Sequence, residues 1–211
     1  MANRASTIAL VSCIVWLLLF SVAASCLATM QVKIAIHNDA RIPEDLLTQA
    51  THEAARIFRA AGVDSLWVVC QSPKEGKSDS SGCSSRVDLS HLSLRVVPWS
   101  ANLGDSIFGT AFLSEKGGGA YSDVFYPSVE KLSSDSTASP SRLLGHVMAH
   151  EIGHLLLGTH SHSAFGIMQP HWQGEELRRI GMGDLLFTPD QARKMRARLT
   201  MTMSEELLVG R

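Results

Sequence analysis

Charge bias is the first thing this sequence lacks. Nineteen Lys and Arg residues face twenty Asp and Glu, for a formal net charge of −1. No basic field is left over to hold nucleic acid, and there is no acidic tail. Cysteine is also scarce, with four in 211 residues. Internal repeats are absent, which excludes a repeat array. What remains is ordinary for a globular protein: 45% hydrophobic and 18% charged residues, at a length that suits one domain. The local residue pattern must therefore carry any functional argument.

The first segment stands apart from the fold. Arg4 gives a positive start, an apolar run extends from Ile8 to Ala24, and the small residues of SCLA follow. This reads as a secretory signal over residues 1–28, leaving a mature chain over 29–211. Two readings compete with it. The run could be a retained membrane anchor, although it is slightly short for a span. Cys26 could instead be a lipidated first residue. The expectation is a secreted or periplasmic protein with no stable membrane insertion once the signal is removed. Removing Arg4 with that segment leaves eighteen basic and twenty acidic residues, a net charge of −2. Cys70 and Cys83 are then the remaining cysteines, and an oxidising compartment would join them. Closing so small a ring contributes about 3 kcal/mol in the chain-entropy model. No long propeptide separates residue 29 from the first strand.

QVKIAIHN (31–38) alternates apolar and polar residues and predicts a strand. Pro43 opens a helix in which Leu46, Leu47, Ala50, Ala54, Ile57, Phe58 and Ala61 recur at helical spacing. Glu44 and Asp45 suit its positive end and Gly62 suits its stop. SLWVVC (65–70) and VDLSHLSLRVVP (87–98) read as strands, with a loop over 71–86 between them. FGTAFLS (108–114) and AYSDVFYP (120–127) flank the Gly117–Gly119 turn and read as a hairpin. A polar connector (133–141) offers Ser139 or Ser141 as a cap for RLLGHVMAHEIGHLLL, a buried helix ending near Gly158. Helices over 175–181 and 188–199 complete the chain. The order predicts a single α+β domain in which the first two strands pair in parallel through a right-handed crossover.

The chemistry lies in HEIGH, residues 150–154. His150 and His154 are four apart, so a helix puts both imidazoles on one face, where they can share one ion. Zinc takes such nitrogens at about 2.0–2.1 Å. Glu151 can reach a water on that ion and act as general base. Two ligands leave a catalytic site incomplete, since such zinc commonly takes three from the protein. His160 and His162 are the local candidates for the third. His146 lies one turn before His150 on the same face and reads as a core histidine. His171 could stabilise a developing oxyanion, as could Tyr121 or Tyr126. His37, His52 and His91 have no local partner pattern.

This stretch resembles the metzincin superfamily of zinc metalloproteases. In that superfamily the helix breaks at a glycine, a third histidine returns to the metal, and a Met-containing turn lies beneath it. The resemblance implies a compact metalloprotease domain of mixed twisted sheet, an active-site helix and C-terminal helices. It also implies that Met168 supports the floor and that His160, ten residues after His150, is the third ligand. One departure matters: the superfamily places its glycine seven residues after the first histidine, where this chain has Leu157 and then Gly158. The run HEIGHLLLGxxxHSxxGIM also resembles a little-described group of exported bacterial proteins in which the histidine of the HS pair recurs. That likeness, which extends to AGVDSLWVVC, AYSDVFY and DLLFTPDQA, favours His162. The metzincin resemblance further implies that an edge strand beside the active helix receives the substrate as an added strand, and AYSDVFYP is the candidate.

The sequence therefore points to an exported zinc-dependent metalloendopeptidase acting on polypeptides. His150, His154 and either His162 or His160 would hold Zn2+, with Glu151 as base. One rival keeps the enzyme but takes Glu175 or Glu176 as third ligand, in the manner of thermolysin-like enzymes. The other is an exported zinc-binding module without peptidase activity.

Overall fold

The computed structural model describes residues 30–70, 83, 88–100, 107–134 and 136–209. The expected signal segment, with Cys26, lies outside the described residues, as does most of the 71–87 loop. Among the described residues, no helix is long and apolar enough to cross a membrane.

Among the described residues, five strands form one sheet. They are β1 (Gln31–Asn38), β2 (Asp64–Cys70), β3 (His91–Val97), β4 (Gly109–Phe112) and β5 (Tyr121–Phe125), in the spatial order β2-β1-β3-β5-β4. β1 pairs in parallel with β2 and with β3, and β3 pairs in parallel with β5; only β4 runs antiparallel, against β5. The expected parallel pair and the expected hairpin are both present. The strand expected at the sheet edge is corrected: β5 lies between β3 and β4, and the short strand β4 is the edge. Sheet order is set by which partners bury each strand, and no local pattern encodes it.

Between β1 and β2 runs α1 (Glu44–Ala60), with Pro43 before it and Glu44 and Asp45 in its first turn. Its stripe of Leu47, Ala50, Ala54, Ile57 and Phe58 is buried against the sheet and the motif helix. The alternate residues Val32, Ile34 and Ile36 of β1 form the floor of that core. The motif helix is α3 (Pro140–Leu157), which follows α2 (Tyr126–Ser134). Ser139 caps α3 by accepting from the Arg142 N–H, as expected from its position. Nearly every residue of α3 is buried, from Ser141 to Leu156. Leu143, Leu144, Ile152 and Leu155 are fully buried, each contributing roughly 1.5–3 kcal/mol. Gly145 lets α3 lie close on α1, since a Cβ there would stand 2.7 Å from the Ala50 carbonyl oxygen. Two further helices follow, α4 (Gly174–Met182) and α5 (Pro189–Val209).

The disulfide between Cys70 and Cys83 is formed, with the Cα atoms 5.8 Å apart. It joins the end of β2 to the connection leading to β3.

Candidate metal centre and its cleft

The two motif histidines sit one turn apart on α3, and their outer nitrogens are fixed by carbonyls. His150 Nδ1 donates to the Ile167 carbonyl at 2.8 Å, and His154 Nδ1 donates to the Thr159 carbonyl at 2.8 Å. A carbonyl can only accept, so each ring carries its proton on Nδ1 and turns a lone pair outward at Nε2. Those two Nε2 atoms face each other across 3.1 Å. Burial holds His150 down at about 3 and His154 down at about 4, so neither ring is charged at neutral pH. Two facing lone pairs with no shared proton leave a place for a cation. Two nitrogens each about 2.0–2.1 Å from one ion, at a tetrahedral angle, stand roughly 3.3 Å apart.

The third imidazole comes from beyond the helix. Gly158 ends α3 in the left-handed conformation, φ 67°, and sends its N–H back to the His154 carbonyl. The chain then turns under the site. The Ser163 N–H donates to the Met168 carbonyl at 2.8 Å, and Gln191 Nε2 donates to the Ser163 hydroxyl at 3.0 Å. So anchored, the His162 ring stands 5.4 Å from that of His150 and 5.0 Å from that of His154, centroid to centroid. Ligand atoms of His150, His154 and His162 all lie within 4.8 Å of one another.

His160 is not in this set; its ring is 6.4 Å from that of His154, on the cleft rim. The extra helical residue, Leu157, displaces the exit of the chain, so the convergent histidine falls twelve residues after His150 rather than ten. Glu175 and Glu176 are also outside the set. Glu175 is exposed and paired with Arg178 at 2.6 Å, while Glu176 accepts from the Gln173 N–H as part of the α4 cap.

Met168 is fully buried. A Cβ at Gly153, inside the motif, would stand 2.8 Å from the Met168 sulfur and 2.7 Å from the Phe187 ring. The fourth position of HEIGH thus favours a residue without a side chain, because Met168 and Phe187 lie directly against that turn. Gly166, at φ 78°, makes the bend before Met168, and the Ile167 N–H is held by the Leu186 carbonyl at 2.9 Å.

Glu151 lines a cleft of about 340 Å³ that the three histidines also line. It lies against the start of the edge strand. A Cβ at Gly109 would come within 2.6 Å of Glu151 Cγ. Burial pushes its carboxyl up to about 8. A divalent cation held by the three nitrogens would act in the opposite direction and favour the carboxylate.

The apolar part of the cleft is walled by Ile107, Phe108, Val147 and Trp172. Phe108 and Trp172 stack with centroids 5.8 Å apart, and Trp172 meets His150 nearly at right angles, 5.7 Å away. Sequence reasoning did not find Gly109, Phe108 or this role for Trp172. Each is placed by tertiary contact, and no local spacing marks it. His171 lines the same cleft, whereas Tyr121 and Tyr126 do not. His146 is fully buried, donating from Nδ1 to the Arg142 carbonyl at 2.8 Å, as a core histidine should.

No protein-family model matches the sequence, and no curated protein sequence is similar to it. Solved structures are similar in fold. A zinc-dependent peptidase from Methanocorpusculum labreanum (strain Z) superposes with a TM-score of 0.51 at 17% identity, covering 77% of this chain and 99% of that one. Metalloproteinase-II from Bacteroides fragilis gives 0.50 at 13% identity over 80% of this chain, which spans 53% of that longer protein. An archaemetzincin from Methanopyrus kandleri gives 0.49 at 14% identity, over 81% and 97% of the two chains. The chain has the fold of a zinc metallopeptidase domain. On that fold, three imidazoles converge, with ligand atoms within 4.8 Å of one another. This is a donor set that suits Zn2+ in tetrahedral geometry with one position left open.

Proposed function

We propose that this chain is an exported zinc metalloendopeptidase. The observation that carries the reading is the convergence of His150, His154 and His162 within 4.8 Å, at the wall of a cleft that Glu151 also lines. Zinc bound there supplies Lewis acidity and brings the pKa of its water toward 7. His150 and His154 are ready to hold it, because their Nδ1 protons are committed to carbonyls and their Nε2 lone pairs are free. Glu151 accepts the proton of the attacking water at its carboxylate and delivers it to the departing amine. The shut-in position of Glu151, against Gly109 and away from bulk solvent, strengthens each such exchange.

The substrate is a polypeptide lying along β4. That strand is the free edge beside the motif helix, and its backbone groups can pair with an extended chain of almost any sequence. Export is supported by the N-terminal apolar run and by the Cys70–Cys83 bridge.

The test uses zinc-loaded protein and an unstructured protein substrate such as casein. Cleavage should stop with a chelator and return with zinc. The Glu151→Gln variant should keep full zinc content and lose at least about 10²-fold in rate. Full zinc content with no cleavage by the unmodified protein would favour a binding module instead.

A further inference from the structure

We propose that the open face of the sheet beside β4 holds a remote subsite for a long basic side chain, lysine or arginine, of the bound polypeptide. This rests on the peptidase reading above.

Side chains alternate along β4. Gly109 and Ala111 face α3, while Thr110 and Phe112 face the other side of the sheet, where Phe112 is the Cα partner of Tyr121. Phe112 and Tyr121 are 51% and 53% exposed, an unusual state for two neighbouring aromatic rings. They border a depression of about 370 Å³ that His37, Asp39, Arg95 and Asp123 also line. Arg95 is neutralised within it, donating to both oxygens of Asp123 at 2.8 and 2.7 Å. Arg95 also feels the charge of Asp39, so one arginine faces two carboxylates and the charged side chains there sum to −1, counting histidine as neutral.

The geometry of an added strand selects for length. A residue paired opposite Phe112 would share its face, with Cβ atoms about 4.5–5.5 Å apart. The row of Tyr121 and Asp123 lies two strand spacings from such a residue, about 10 Å away. A short side chain ends on Phe112. A lysine or arginine crosses that ring toward Tyr121, meeting two aromatic faces on the way and, at its end, the depression where Arg95 alone faces the carboxylates of Asp123 and Asp39. An acidic side chain reaches a depression whose charged side chains already sum to −1. Phe112 is three residues along the strand from Gly109, which abuts Glu151. The subsite therefore lies about 10 Å, or about three residues, from the scissile bond.

Zinc-loaded Glu151→Gln protein binds without cleaving, so the test reads Kd. One extended peptide is made with Arg, Lys, norleucine or Glu at each of the second to fourth positions on either side of the scissile bond. At one position Arg and Lys should bind about tenfold tighter than norleucine, with Glu weakest. Phe112→Ser and Tyr121→Ser should each shrink that ratio at least about threefold. Equal binding of Arg and norleucine at every position overturns the subsite, as does a preference that survives both variants. The same peptides are offered to unmodified enzyme. Cleavage without positional preference sinks the subsite and leaves the peptidase reading standing; peptides neither bound nor cleaved sink both.

Discussion

At the scale of single residues, the account turns on which histidine completes the site. His160 and His162 are two positions apart and both line the cleft, yet only His162 shares a point with His150 and His154. His162→Ala should therefore drop zinc stoichiometry from one to well below one after dialysis, while His160→Ala should retain it. Inductively coupled plasma mass spectrometry of the two variants separates the cases. Retention by both would point to another third ligand. The pair His150 and His154, and Glu151 between them, were legible in the sequence because a helix converts spacing directly into direction. The third ligand was not, because its position depends on where the chain goes after Gly158. Two signs in the sequence favoured His162: the one-residue delay of that glycine, visible as Leu157, and the likeness of the HS pair to that of the exported group.

Among the elements, α3 carries most of the design. Its start and stop were readable from Ser139, Pro140 and Gly158, since caps act locally. α2 (Tyr126–Ser134) was missed, because Pro127 reads as the end of a strand when it in fact occupies the first turn of a helix. The role of β4 was likewise hidden: its four residues carry little pattern, and only the sheet order makes it the edge. Gly153 shows how tightly α3 is fitted to the turn beneath it. Alanine there is a good helix former, so propensity alone would make Gly153→Ala stabilising. The Met168 sulfur and Phe187 ring stand where the methyl would go. Gly153→Ala should instead destabilise the zinc-free protein by about 1–3 kcal/mol. Urea titration checks this, and a gain in stability would show that the turn can give way freely.

For the whole molecule, the interface between α1 and α3 makes stability depend on pH. His146 lies buried there, with Nδ1 3.7 Å from Glu53, which Arg56 holds by two hydrogen bonds. Burial holds His146 down at about 4, against 6.5 in the open chain, so its contact with Glu53 is that of a neutral ring. Burial raises Glu53, but the Arg56 hydrogen bonds and charge outweigh it and hold the carboxyl below its ordinary value. Between pH 6.5 and 4 the unfolded chain takes a proton that folded His146 refuses. Its contribution is thus complete above 6.5 and is lost as pH falls toward 4. Glu53 adds a loss of the same sign below its usual carboxylate range. In zinc-free protein, calorimetry should show stability falling on acidification through this window. His146→Gln should flatten that fall by on the order of 3 kcal/mol at pH 4. An unchanged slope would mean that His146 is protonated in the folded state. His150 and His154 add losses of the same sign, which persist in the variant and cancel in the comparison.

The fold, the cleft and the proposed chemistry meet at one point in space. Anomalous diffraction at the zinc edge, from zinc-loaded crystals, locates it. The account expects a single peak about 2.0–2.1 Å from His150 Nε2, His154 Nε2 and one nitrogen of His162. A peak elsewhere, or one at the His150–His154 pair completed by a carboxylate of α4 in place of His162, would contradict it.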